Sequence, residues 1–434
     1  MPETPALADL ARASAELPLA SVPKAVREHA RRVVADTLGV IMAGARTPEI
    51  DRLLAGDGAL FKPFGRGPCQ ILSPGLPGAD PVFAAFVNGT AGTFLELDEG
   101  YRPTGHPAVH VVPAALAAAQ ALRRSGSELL AAVLSGYEVT ARLFEAYRLT
   151  YPVHPHGHFG AVGAAVAVSR LRRADAGEPA LIAATLPLLP VWQPCYEGAT
   201  ARNAYSGVAG AVGVTANRMA AAGFTGSRQA QEAAFGGLVG RLQNPNALSA
   251  EIDPGRPRIL NDYLKLHSAC ALSHAALDAV LELAPEAAQV ERVEVETVAN
   301  NMKLDRQAAP NELSTRFSLP YAVAAAIVHR HTRPSAFIPN GAVNALAQRV
   351  TIRQADDLEA GWPERAAARV TVHTSGGART AQVQNPRGHH LNPATPDELR
   401  RKFEMLCWTS DPAATYERLL ALERVADCND LLYE

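Results

Sequence analysis

Residues 92–110 read GTFLELDEGYRPTGHPAVH. Three carboxylates (Glu96, Asp98, Glu99), a Tyr, an Arg and two His crowd into this span, and the chain on both sides is nearly all Ala, Val and Leu. A polar knot between apolar runs is either a solvated turn or the lining of a cavity. Pro107 bears on the choice. Pro suits the first position of a helix, because its missing N–H would have no partner there. The spacing thus predicts a helix from residue 107 with His106 at its cap, where free N–H groups and the positive dipole end favour an anion. The stretch becomes a candidate site for a carboxylate-bearing substrate. The plain alternative is a surface loop with assorted polar side chains.

Upstream, residues 7–17 and 22–42 read as helices punctuated by Pro18 and Pro23. In the second, Val26, Ala30, Val33, Val34, Leu38 and Ile41 recur at helical spacing. Asp36 falls inside that pattern and reads best as a packing hydrogen-bond acceptor. Residues 48–77 are rich in Gly and Pro and ambiguous; 80–94 is helical again. Downstream, helices are expected over 114–122 with a kink at Pro113, over 128–148, 164–171, 180–186 (broken at Pro187) and 204–222. No strand is expected before about residue 260. The texture then changes. VERVEVETV (290–298) alternates in the strand manner, and 366–373 and 378–384 flank an SGG turn as a hairpin. TPDELRRKFEML (395–406) returns to helix, with Thr395 as cap and two acids in the first turn. The expectation is a mainly α protein: a large all-helical domain (1–264 and 396–434) with a smaller α+β lid domain (265–395).

The totals agree with such a protein. A length of 434 residues suits two or three domains, or one large and one small, and 48% apolar content is ample for a core. The net charge of −2, with no charged blocks, gives no electrostatic case for nucleic acid or a membrane surface. The five Cys are odd in number and far apart (Cys69, Cys195, Cys270, Cys407, Cys428), which argues against a disulfide framework or a thiolate zinc site. Early acids in the first residues and the lack of a long apolar run point to a cytoplasmic protein without a signal peptide or membrane span.

Chemistry can come from four further places. His154, His156 and His158 alternate, and His106 and His110 are one helical turn apart, so a metal is conceivable; no HExxH Glu accompanies them, and the ligand set is incomplete. Gly157, Gly160 and Gly163 recur every third residue, giving either a close helix contact or a ligand at helix N–H groups. Arg202, in TARN before a small-residue helix, either clamps a carboxylate or sits on the surface. KLHSACALSH (265–274) brings together Lys265, Cys270 and His274. A desolvated Lys265 could act as acid or base; otherwise it is a solvated Lys beside a core His. Tyr321 follows Pro320 at a helix start, as a proton donor or a packing anchor.

Taken together, these motifs resemble the MmgE/PrpD family, which includes 2-methylcitrate dehydratase, cis-aconitate decarboxylase and iminodisuccinate epimerase. The resemblance runs from DTLGVIMAG (36–44) through NGTAGTFLELDEG, GHPAVH, the His154–Gly163 glycine series and the Lys265…Cys270…His274 segment to FSLPYAVA (317–324) and NPATPDELRRKFEML. It implies a homodimer, no metal, no organic cofactor, and a small di- or tricarboxylate held between the domains. Carried over by motif, His106, His154, Lys265 and Tyr321 are the catalytic candidates. Glu96, Asp98, Arg202, His158 and His274 are the substrate-binding candidates. Glu96 stands where decarboxylases carry Asp, and Gly100 where they carry Thr. Gln193 stands where several members carry Lys, with Arg202 the nearby cation. The expected reaction is proton transfer alpha to a carboxylate, foremost as a dehydratase-like lyase. An epimerase or isomerase, a decarboxylase, a His-dependent metal hydrolase and a non-catalytic paralogue are the alternatives.

Overall fold

The computed structural model describes residues 6–56, 67–75, 78–102, 104–186, 188–306 and 309–432. Helix Lys24–Gly44 buries the apolar stripe Val26, Ala30, Val33, Val34, Leu38 and Ile41, as its 3.6-residue spacing requires. Pro81–Ala91, Pro107–Ala121 and Gly126–Ala146 pack against it, and His158–Arg172 and Ala204–Ala221 pack against those helices in turn. Their interfaces are built from small residues. A Cβ placed on Gly89 would stand 2.8 Å from Gly207 Cα, so the helices Pro81–Ala91 and Ala204–Ala221 cross at backbone contact. Abundant Ala and Gly are therefore the condition for this bundle.

The bundle core draws on residues 7 to 264 and again on 399 to 432. Helix Pro396–Leu406 starts with a complete capping box between Thr395 and Glu398 and packs on Lys24–Gly44, where Phe403 fills the space over Gly39. A second core runs from Trp192 to Ala381. It lies between a four-stranded sheet and the helices His274–Leu283 and Leu319–His329. The sheet order is Val350–Gln354, Val290–Thr297, Ala368–Thr374, Gly377–Val383; the first pair is parallel and the others antiparallel.

The protein is mainly α, as the periodicity predicts, and the hairpin closes with Thr374 opposite Gly377. Two details differ. The expected helix 128–148 ends at Ala146, and Tyr147–Leu149 pairs with Gly240–Leu242 as a short antiparallel ribbon. A second ribbon joins Gly100–Tyr101 to Asp262–Tyr263, so strands do occur before residue 260. As expected, the helix that starts at Pro107 continues past Pro113, to Ala121. In the ambiguous 48–77 region, Pro48–Ala55 is helical; residues 57–66, 76–77 and the expected break at Pro187 lie outside the described residues.

Candidate active site

The loop after helix Pro81–Ala91 carries the site, and side-chain bonds tie it to distant segments. Thr93 Oγ1 donates to Asn203 O (2.9 Å), Ser268 Oγ to Leu95 O (2.6 Å) and Lys402 Nζ to Leu97 O (2.9 Å). Glu96 sits between these props with φ 50°, in the left-handed region. A non-glycine residue there costs about 1–3 kcal/mol and persists only where its surroundings demand it.

The demand is electrostatic. Glu96 and Asp98 are each 1% exposed and Lys265 is 0% exposed. Lys265 Nζ donates to Glu96 Oε2 (3.3 Å) and Asp98 Oδ1 (3.1 Å), and Arg202 Nη1 lies 2.5 Å from Glu96 Oε1. Burial works against all these charges, but the network outweighs it. Asp98 is held well below the carboxylate range by Lys265, then His106 and Arg202. Lys265 is held above its usual value by Asp98 and Glu96. Glu96, with Cys195 and Asp98, does the same for the Arg202 guanidinium. Lys265 is therefore a fixed cation in the free protein.

His106 is the site's base in form. Its Nδ1 lies 2.9 Å from Asp98 Oδ2 and 2.8 Å from Glu99 O. Both partners accept, so Nδ1 carries the proton and Nε2 of the neutral ring carries the lone pair. His154 is the opposite. Its Nδ1 accepts from His156 N (3.1 Å), which leaves a proton on Nε2. Burial, then Arg202 and His106, keep this ring neutral far below the usual histidine range. His156 stacks between the two, 4.2 Å from the His106 ring and 5.0 Å from the His154 ring.

Beneath them Glu99 Oε2 accepts from Ala108 N (2.9 Å), and Tyr137 OH donates to Oε1. Burial and nearby Asp262 and Asp98 push the Glu99 carboxyl well up despite Tyr137. Glu99 thus caps helix Pro107–Ala121. The expected free N–H groups behind His106 are partly taken by the protein itself. The Gly157 N–H is also committed, to His110 Nε2 (3.0 Å), while His110 Nδ1 donates to His106 O (2.6 Å). Gly160 makes room for this ring: a Cβ there would stand 2.2 Å from His110 Cγ. So the glycine series serves a close packing contact.

These groups border a cavity of about 550 Å³. Glu96, His106, His154, Arg202 and Lys265 line one part of it. Asn300, Lys303 and Trp362, from the segments around the sheet, line another. Among the described lining residues there are five cations (Arg102, Arg148, Arg202, Lys265, Lys303) and one carboxylate, Glu96. That excess favours a multiply negative guest.

A family model described as the MmgE/PrpD N-terminal domain matches residues 8–247, and one for the MmgE/PrpD C-terminal domain matches residues 267–427. The chain belongs to the MmgE/PrpD family. Among curated proteins it is similar to cis-aconitate decarboxylase of Aspergillus terreus, 23% identical over 95% of this chain and 92% of that one. It is also similar to the human cis-aconitate decarboxylase, 30% identical over 33% of this chain and 31% of that one.

In this MmgE/PrpD chain the residues singled out by sequence divide into two groups. Glu96, His106, His154, Arg202 and Lys265 share the cavity, and Asp98 stands directly behind His106 and Lys265. Tyr321, His158 and His274 do not line it. Tyr321 OH donates to Ile338 O (2.9 Å) inside the second core. His158 opens helix His158–Arg172 with its ring drawn down to about 4 by burial. His274 donates from Nε2 to Ala269 O (2.8 Å), and its Nδ1 accepts from Tyr263 OH. It positions a cavity tyrosine without touching the cavity. Sequence reasoning missed Tyr263, Trp192, Arg102 and Lys303 as wall residues. Arg102 lay in the opening stretch and was the one legible signal.

Asp98, His106 and His156 offer three ligand atoms within 4.8 Å of one another. The donor set would suit zinc, but Lys265 shares the same carboxylate at 3.1 Å and would repel a cation. No described helix is long and apolar enough to cross a membrane.

Proposed function

We propose that this protein is a lyase that moves a proton alpha to a carboxylate of a small di- or tricarboxylate. The observation carrying this reading is the Asp98–His106 pair at the edge of a cation-rich cavity. His106 Nε2 takes the proton from the alpha carbon, and Asp98 steadies the imidazolium that forms. The electron pair moves into the carboxylate as an enediolate. Lys265 Nζ and the His154 Nε2–H are fixed donors for that charge, in a site where they need no reorganisation.

Loss of a beta hydroxyl as water, carrying the proton handed on by the His106 imidazolium, completes a dehydration. Delivery of a proton to the other face from a second donor, the His154 Nε2–H, completes an epimerisation. If carbon dioxide leaves instead, the resulting carbanion takes its proton from His106 in the imidazolium form. The named activity of the relatives, cis-aconitate decarboxylase, supports the lyase class. The dehydratase-like outcome stays first in our reading because Glu96 and Gly100 depart from the decarboxylase pattern. Tyr321 has no part in this scheme. We further read 265–395 as a cover over the helical body of 1–264 and 396–434, and the assembly as a homodimer in the cytoplasm.

The test is NMR in deuterated water with a panel of polycarboxylates, which reads exchange, elimination, epimerisation and decarboxylation together. The wild type should incorporate deuterium alpha to a carboxylate, and H106N should lower that rate by about 10²–10⁴-fold. An H106N rate equal to wild type would sink the assignment. A rate that rises with added zinc and falls with chelator would favour the metal hydrolase instead.

A further inference from the structure

Of the five cations in the cavity wall, Arg148 is exposed. Arg202 and Lys265 are neutralised by Glu96 and Asp98. Two remain. Arg102 follows the ribbon strand Gly100–Tyr101, and its guanidinium lies over the Tyr263 ring at 5.0 Å. Its Nε and Nη2 are both buried, and neither has a hydrogen-bond partner among the described residues. These two atoms form one edge of the guanidinium, the fork that receives both oxygens of a carboxylate in parallel bonds. Lys303 lies in the turn Ala299–Leu304, which follows sheet strand Val290–Thr297. Its ammonium sits over the Trp192 ring at 4.8 Å, and no carboxylate pairs with it among the described residues. Burial draws that ammonium below its usual range, opposed by Cys270. Cys270 lines the same cavity as both cations.

A half-buried cation without a counter-ion is a standing cost to the fold, and a structural role would have supplied it with a partner. Aromatic faces return only part of that cost. We propose that Arg102 and Lys303 form a two-point carboxylate clamp. Arg102 grips one carboxylate through its Nε–Nη2 edge, and Lys303 takes a second from the side of the sheet. The clamp rests on the reading that the cavity takes polycarboxylates, and it assigns the recognition to residues outside the proton-handling set. It makes the spacing of two carboxylates the selected feature, and it excludes monocarboxylates because they leave one cation bare.

Binding of tricarballylate, glutarate and propionate to the full chain, by calorimetry and by thermal shift, tests the clamp. Wild type should bind tricarballylate and glutarate at least about tenfold tighter than propionate. R102Q and K303Q should each lose about tenfold for the polycarboxylates and little for propionate, and R102K should fail to restore the loss, having no fork. Ligand-free R102L should melt no lower than wild type while gaining less from tricarballylate; a merely structural arginine would give a lower melting temperature. Unchanged tricarballylate affinity in both R102Q and K303Q overturns the clamp. Deuterium exchange in the same samples separates the two proposals. Exchange with undiminished binding in the variants defeats the clamp alone, and clamp-dependent binding without exchange on any panel member defeats the acid–base reading alone.

Discussion

Two buried lysines reach the same loop. Lys402 Nζ lies 2.7 Å from Asp36 Oδ1, and Lys265 Nζ lies 3.1 Å from Asp98 Oδ1. Both amines are sealed from solvent, yet their titration runs in opposite directions. Burial draws Lys402 down and pushes Asp36 up, so each member of that pair leans toward neutrality. Lys265 is raised and Asp98 lowered, so both are locked as ions. The difference is the number of partners. A lone pair between helices gains too little Coulomb energy to offset desolvation. Around Asp98 and Glu96, Lys265, Arg202 and His106 share the load. One pair is a strut. The other is a charged surface kept ready for a guest.

Substitution separates strut from surface most sharply. K265M should cut deuterium exchange by about 10²–10³-fold, as loss of a preorganised charge does. It leaves Glu96 and Asp98 short of a cation, so denaturant unfolding should also show a loss of about 3–5 kcal/mol. A near-normal exchange rate in K265M would erase the distinction between the two lysines. K402M should act on stability first, by up to about 3 kcal/mol, because Asp36 can protonate when stranded. The double variant D36L/K402M should regain most of that, as buried ion pairs replaced by apolar residues often do. E96L/K265M can regain stability in the same way, but it should remain inactive in the NMR assay.

The pH dependence of unfolding gives the smallest contrast. Asp98 has a folded-state value below its ordinary 3.8, so its contribution is full above that pH and drains away as pH falls beneath it. Lys265 lies above its ordinary 10.5; its contribution is full below 10.5 and is lost as pH climbs past it. Asp36 is raised, so it works against the fold once pH exceeds 3.8. D98N should therefore flatten the acid limb of the stability curve. An acid limb identical to wild type would refute the sign for Asp98.

The sequence yields the helices because their stripes are long and their caps local: Thr395 with Glu398, Ser125 with Glu128, Pro107 behind His106. It does not yield strand Val350–Gln354, which is five residues long and defined by its parallel neighbour at 293–297. It also misses the ribbon Tyr147–Leu149, where the partner is more than ninety residues away. In the site, Glu96, His106, His154 and Lys265 stand out because polar clusters in an apolar chain are visible without coordinates. Arg202 is visible as a cation, but its engagement with Glu96 is not. Lys303 carries no local signal at all, since an isolated Lys in sequence looks like any surface Lys. Tyr321 misleads for the converse reason: its place at a Pro-led helix start is suggestive, and only the fold reveals that its hydroxyl is spent on Ile338 O.

The bond from Lys402 to Leu97 O joins residues 305 apart. During translation, the loop bearing Glu96, Asp98 and His106 leaves the ribosome long before its opposing amines do. A nascent chain paused ahead of Lys265 holds two acids with no ammonium between them, and one paused ahead of Lys402 still lacks the prop under Leu97. The centre is thus silent through most of synthesis and is set late, when helix Pro396–Leu406 emerges and docks.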